Sequence, residues 1–350
     1  MRPRLGFLGV GWIGRHRLEA ILQSDAADVV AVADIAPENA AAAVSMVSAA
    51  KAVSSLDELL SEKLDGVVIA TPSALHAEQA IAALERGVAV FCQKPLARTA
   101  SETGRIIDAA RRVDRLLGVD LSYRYVEGVR LIRELVGAGE LGRVYAVDLV
   151  FHNAYGPDKQ WFYDPARSGG GCLIDLGVHL ADLALWVLEP ASVRKVSSHL
   201  FARGKPLKLP TDAVEDFALA ELELSGGTVA RLACSWNLPA GRDAVIQAAF
   251  FGDEGGAMLS NVDGSFYDFR AERFRGTTRQ QLCGPPDAWG GRAIVEWARH
   301  LGIGSGFDPA AERLVDVAAA IDAAYGRATS VELAPGTPGA VLHLAEVGTP

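Results

Sequence analysis

Short apolar runs bounded by glycine and polar turns alternate with stretches of helical period through the first third of the chain. Residues 4–8 read as a buried strand, followed by a helical pattern to about Gln23. Residues 28–34 are a second strand, and Pro37 suits the first turn of a helix reaching about Val47. A weak strand near Ala52 and Val53 and a short helix over 56–60 come next. Residues 66–70 are apolar throughout, as in a parallel strand covered on both faces. A helix from about Ala74 to Arg86 stops at Gly87, a natural residue just past a helix end. Residues 88–92 form another strand, Thr99-x-x-Glu102 is a capping box, and 116–119 close the pattern. This alternation predicts an α/β domain over 1–120 with a doubly wound parallel sheet.

After residue 120 the rhythm changes. A helix near 126–137, a strand over 144–151 and a loop carrying Trp161, Tyr163 and Arg167 precede the run GGGCLIDLGVHLADLALWVL at 169–188. That run is long enough for a helix of roughly four to five turns. Asp175, His179, Asp182 and Trp186 fall on one stripe of it, and nearly everything else is Leu, Ile, Val or Ala. A helix apolar on most sides is buried, so its two carboxylates and imidazole need partners. They are either a satisfied structural pair or part of a site. Gly177 in mid-helix costs about 1 kcal/mol against Ala, which close approach of another group would explain. From Val193 strands follow in succession, with Ser225-Gly-Gly-Thr228 a hairpin signal and 276–290 an irregular loop able to lie over a site. Helices near 293–301 and up to about Tyr325 end an α+β domain over 121–335 with a large open, mostly antiparallel sheet. A loosely held tail occupies 336–350.

Composition narrows the partners. The chain has 350 residues, more than one ordinary core needs, and half of them are hydrophobic. A net charge of −9 without any basic tract argues against nucleic acid and against an anionic membrane surface. Cys92, Cys172, Cys234 and Cys283 have no CxxC or metal spacing, nor do His152, His179 and His199, so no metal is expected. Free thiols suit a reducing compartment. The glycine-broken start does not read as a signal peptide, and the run at 169–188 carries too many ionisable groups to span a membrane. A soluble cytoplasmic protein is the expectation.

Candidate chemistry begins at Gly9-Val-Gly11-Trp12-Ile13-Gly14, a GxGxxG between a strand and a helix. In such a dinucleotide fingerprint the first glycine permits the turn, the second lets backbone approach a pyrophosphate, and the third packs helix on strand. Asp34 ends the next strand, 20 residues past Gly14, where it would accept from the adenosine ribose hydroxyls and repel a 2′-phosphate. NAD is therefore favoured over NADP. Thr71, Pro72, His76, Gln93, Lys94 and Pro95 sit at the carboxyl ends of strands, where ligands of open α/β sheets lie.

GVGWIG, TPSALH at 71–76, QKPLA at 93–97 and GGGCLIDLGVHLADL at 169–183 together resemble the glucose–fructose oxidoreductase / inositol dehydrogenase / MocA family over nearly the whole chain. The resemblance implies a Rossmann domain followed by an α/β domain on an open sheet, and an NAD(P)-dependent dehydrogenase or reductase of a sugar or cyclitol. It implies a homodimer or homotetramer built through that sheet. By position it makes Lys94, Asp175 and His179 the catalytic set. Gly9, Gly11, Trp12, Ile13, Gly14 and Asp34 would hold the cofactor, with Thr71, Pro72, His76, Gln93 and Lys94 at its nicotinamide end. A cis Lys94-Pro95 bond is also implied. Two features depart from the family. Gln93 stands where Glu is usual, and GVDLSYRY at 118–125 lacks the usual asparagine- and arginine-phenylalanine-rich wording.

Oxidising a secondary alcohol requires hydride to leave carbon as a proton leaves oxygen. A neutral His179 is expected to take the proton, Lys94 to stabilise the developing alkoxide, and Asp175 to hydrogen-bond the substrate or orient His179. An alternative assigns the proton transfer to Lys94 itself. Arg124, Tyr163 and Trp236 are expected to read the substrate, aromatic faces packing on a sugar ring. The rival readings are a reductase of a keto-sugar or other carbonyl, and a sensor of NAD and sugar without turnover. The sensor is disfavoured because a binder needs no base.

Overall fold

The computed structural model describes residues 2–327; the tail expected over 336–350 lies outside them. The first layer follows the expected alternation: β1 (Arg4–Leu8), α1 (Trp12–Ser24), β2 (Asp28–Ala33), α2 (Pro37–Met46), β3 (Lys51–Val53), α3 (Leu56–Leu60), β4 (Gly66–Ile69), α4 (Ser73–Glu85), β5 (Ala89–Cys92), α5 (Ala100–Val113) and β6 (Leu117–Val119). The strands are all parallel, in the order β3-β2-β1-β4-β5-β6. The order reverses between β1 and β4, and a crevice opens beyond their carboxyl ends. Strands β4 and β5 are buried at every position because helices cover both faces.

The second layer contains α6 (Glu127–Gly137), β7 (Val144–Asn153), α7 (Pro165–Ser168), α8 (Val178–Val187), β8 (Val193–Ala202), β9 (Lys205–Pro206), β10 (Phe217–Leu224), β11 (Val229–Ser235), β12 (Ala244–Gly252), β13 (Gly256–Asn261), β14 (Phe269–Arg275) and β15 (Thr278–Cys283). The nine strands run β15-β14-β13-β12-β7-β11-β10-β8-β9, antiparallel except for the β7/β11 pair. Strand β10 alternates buried and less buried residues, as a half-covered sheet requires. The inner face of this sheet packs on α6, α8 and the last helix, α10 (Arg313–Ala324), which follows α9 (Arg292–Gly302).

Three expectations change. The long helix is not uniform: Leu173–Gly177 is wound as a π-helix that leads into α8. Six of the fifteen residues in the loop expected over 276–290 are strand β15, joined to β14 by a two-residue turn in which Gly276 takes φ +54°. Its polar, exposed sequence carries no apolar alternation to reveal it. Finally, α9 packs on the first sheet, on the face shared with α1 and α2, while α3, α4 and α5 cover the other face. Trp297 lies 5.5 Å from Phe91, centroid to centroid, and fills the space over Gly66 and Gly118. A Cβ at either glycine would stand 2.6 Å from the indole.

Candidate active site

The turn after β1 fits the fingerprint residue by residue. Gly9 has φ +83°, and a Cβ there would lie 2.5 Å from the Ala70 carbonyl oxygen. At Gly14 a Cβ would lie 2.1 Å from the Gly9 oxygen, so this glycine lets the helix settle on the turn. Gly11 differs, because a Cβ there would meet nothing within 4 Å. Gly11 also caps α1 without any side-chain hydrogen bond, and the first turn holds no acid. Helix N–H groups left free beside open space suit a pyrophosphate. Asp34 is fixed at the end of β2, accepting from Val10 N at 2.7 Å, Ala36 N at 2.9 Å and Asn39 Nδ2 at 3.3 Å.

From this turn a cleft of about 1500 Å³ runs to the segment 173–179. Gly11, Trp12, Ile13, Thr71, Pro72, His76, Gln93, Lys94, Asp175 and His179 line it. The Lys94-Pro95 bond is cis, as the resemblance implied. Lys94 Nζ donates to Asp175 Oδ1 at 2.7 Å and to the Asp175 carbonyl at 2.9 Å. Trp236 Nε1 donates to the other carboxylate oxygen at 3.1 Å, so Asp175 is held from two sides.

His179 is buried, with its ring 4.9 Å edge-on from Tyr123. Its Nδ1 has no partner among the described residues. Burial first, and then the charge of Lys94, hold the imidazole well below its usual range, so it is neutral near pH 7. His76 is wedged between the β4 and β5 ends: its two ring nitrogens lie 2.8 Å from the carbonyls of Pro95 and Thr71, and the neutral ring donates its single N–H to one of them. Burial lowers its pKa, against the pull of those carbonyls.

The stripe of the long helix divides between two tasks. Asp175 and His179 face the cleft, whereas Asp182 accepts from Arg124 Nε at 2.8 Å and also from Arg124 Nη2. The guanidinium lies 5.7 Å from the Trp186 ring. Arg124 therefore neutralises a buried carboxylate and does not line the cleft. Tyr163 donates to the Pro157 carbonyl at 3.0 Å and packs 5.8 Å from Trp236, outside the lining, and Trp236 stands behind Asp175. Aromatic residues that do line this end include Tyr123, Trp161, Phe162, Tyr267 and Trp289. Trp289 belongs to the glycine-flanked loop after β15, lies 5.1 Å from Tyr123, and donates to the Tyr267 carbonyl at 2.9 Å. Its place over the cleft agrees with the irregular loop expected to lie over a site within 276–290, although nothing in that stretch singles out Trp289 itself.

Beneath the site, Glu215 is fully buried and accepts from Gly171 N at 3.0 Å, Leu173 N at 2.7 Å and the Tyr325 hydroxyl at 2.8 Å. It satisfies N–H groups at the start of the winding that carries Asp175. Cys172 and Cys234, remote in sequence, approach to 4.0 Å between sulfurs as buried free thiols. Among the described residues one helical stretch, Pro165–Val187, is long and apolar enough to cross a membrane, and 89% of its apolar window is buried inside the protein.

Residues 4–121 match the model of an oxidoreductase family with an NAD-binding Rossmann fold. Residues 129–258 match the GFO/IDH/MocA C-terminal domain. The chain belongs to the GFO/IDH/MocA family. It is 31% identical over 211 residues to the D-glucoside 3-dehydrogenase of Escherichia coli K12, covering 57% of this chain and 60% of that protein. With the 1,5-anhydro-D-fructose reductase of Ensifer adhaerens it shares 30% identity over 232 residues, 65% of this chain and 68% of the relative. Among solved structures, GenD2 from gentamicin A biosynthesis, in complex with NAD, superposes with a TM-score of 0.77 at 24% identity. That match covers 93% of this chain and 94% of GenD2, and it bears out the two-sheet GFO/IDH/MocA fold.

Proposed function

We propose that this GFO/IDH/MocA protein is an NAD-dependent oxidoreductase acting on a secondary alcohol, or the matching ketone, of a sugar, glycoside or cyclitol. The observation that carries the reading is the meeting of Lys94, Asp175 and His179 at one end of a cleft whose other end is an uncapped, glycine-lined helix N-terminus. The open space at Gly11 and the free N–H groups of α1 fit a dinucleotide pyrophosphate. When bound, the cofactor supplies a hydride acceptor or donor at its nicotinamide. Around it, an imidazole nitrogen of His179 takes the hydroxyl proton, and Lys94 Nζ stabilises the negative charge growing on the substrate oxygen. Asp175, gripped by Trp236, holds the ammonium in place. The aromatic lining around Tyr123 and Trp289 supports a ring-shaped polar substrate. In the same reading the enzyme works in the cytoplasm as a homo-oligomer, a second copy covering the outer face of the nine-stranded sheet.

NAD is preferred over NADP in this reading because the Asp34 carboxylate, held by three N–H donors, would lie beside a 2′-phosphate and repel it. The test is NADH formation over a panel of inositols, hexoses and glycosides, in both directions, with NAD and with NADP. His179→Ala should lower turnover by about 10²–10⁴-fold, and a fall under about tenfold would remove the base from its role. Asp34→Ala should narrow the discrimination between NAD and NADP; an unchanged ratio would count against Asp34 as the selector. Binding of NADH without turnover of any polyol or ketone would favour a sensor.

A further inference from the structure

The two departures from the family pattern, at 93 and in 118–125, meet in space. Gln93 follows β5 and Asp120 follows β6; both are buried, Asp120 with only 1% of its surface exposed. Gln93 Nε2 donates to Asp120 Oδ2, the Ser122 hydroxyl donates to Oδ1, and Arg17 of α1 donates through Nε to Oδ2 and through Nη2 to Ser122 Oγ at 3.1 Å. The backbone is locked as well, Gln93 N to the Ile69 carbonyl at 2.8 Å and Asp120 N to the Cys92 carbonyl at 2.9 Å. One carboxylate, one guanidinium, one carboxamide and one hydroxyl thus form a cluster without net charge.

A carboxylate only accepts, so the amide nitrogen of Gln93 must turn toward Asp120 and its Oε1 must turn away. Gln93 lines the cleft beside Lys94, and among the described residues no donor reaches that oxygen. We propose that Asp120 is a positioning residue for the active site: it fixes the Gln93 carboxamide so that Oε1 is offered to an N–H or O–H group at the nicotinamide end of the dinucleotide. The functional unit is the pair. It needs one carboxylate and one carboxamide across 93 and 120, with an acceptor oxygen left for the cleft. This inference rests on the dinucleotide reading above.

Two carboxylates, as in Gln93→Glu, would repel one another over a single guanidinium. Asp120→Asn would let the amide of residue 120 donate to Gln93 Oε1 and swing the Gln93 NH₂ toward the cleft. The double variant Gln93→Glu/Asp120→Asn restores one carboxylate, one carboxamide and a cleft-facing acceptor. Gln93→Met keeps the bulk, adds no charge and removes the acceptor. The experiment is titration of the purified full chain and these variants with NADH and, separately, with ADP-ribose, which lacks the nicotinamide. Both single variants and Gln93→Met should lose about tenfold in NADH affinity, as for a buried hydrogen bond lost, and keep ADP-ribose affinity. The double variant should recover NADH binding. If the double binds NADH no better than the weaker single, or if ADP-ribose affinity falls in step with NADH, the cluster is only a scaffold and the inference is overturned. Wild type that binds neither ligand would remove the dinucleotide reading, and this inference with it.

Discussion

At the scale of single residues, Glu215 has the plainest pH signature. Burial pushes its carboxyl up from an ordinary 4.5 to about 7, against the opposing pull of the Leu173 and Gly171 N–H groups and the Tyr325 hydroxyl. A raised folded-state pKa means that the native state holds the proton more tightly than the unfolded chain. The stabilisation is therefore full below pH 4.5 and is lost as pH rises through about 7. Glu215→Gln lacks this term, so thermal melts should place the variant progressively higher relative to wild type between about pH 5 and pH 8. A constant offset across that range would mean that Glu215 does not titrate there. The residues legible in the sequence were those whose meaning is local: the three glycines of one turn, Lys94 before its proline, and the Asp175/His179 spacing. The places of Arg124 and Trp236 are not legible locally, because their partners, Asp182 and Asp175, lie 58 and 61 residues away. A conspicuous Arg or Trp does not announce whether it faces a ligand or a buried carboxylate.

At the scale of elements, apolar periodicity located most helices and strands but could not say what each packs on. The amphipathic face of α9 is plain from Ala293, Ile294, Trp297 and Ala298, yet nothing in that face distinguishes the first sheet from the second. The two glycines under Trp297 record the choice on the other side of the contact. Trp297→Ala should cost about 3–5 kcal/mol in urea denaturation, because Gly66 and Gly118 have no side chains to move into the void. A cost under about 1 kcal/mol would show that the helix is not anchored there. The π winding at Leu173–Gly177 is hidden for a different reason: the run is apolar on nearly every side, so no polar stripe marks a change of winding. Strand β15 escaped because it is polar and depends on a turn at Gly276 for its register.

At the scale of the whole molecule, the chain leaves the first sheet after β6, builds the second, and then returns. Helix α9 completes the first core, and α10 packs its Val317, Ala320 and Ile321 in the second core while Leu314 and Val315 reach the first. The two layers should therefore melt as one. Calorimetry of the full chain is expected to give a single transition, with a fragment of residues 1–120 unable to fold stably because the Trp297 contact is missing. Two resolved transitions, or a well-folded fragment, would refute this coupling. The change of rhythm near residue 120 marks where the strand pattern changes; it does not mark where the first core ends. A chimera made by exchanging everything after that point with a relative would carry a foreign helix onto a native sheet. Recombination of substrate specificities in this scaffold must be drawn as an interior graft, with both crossover points chosen so that residues 292–302 travel with the first 120.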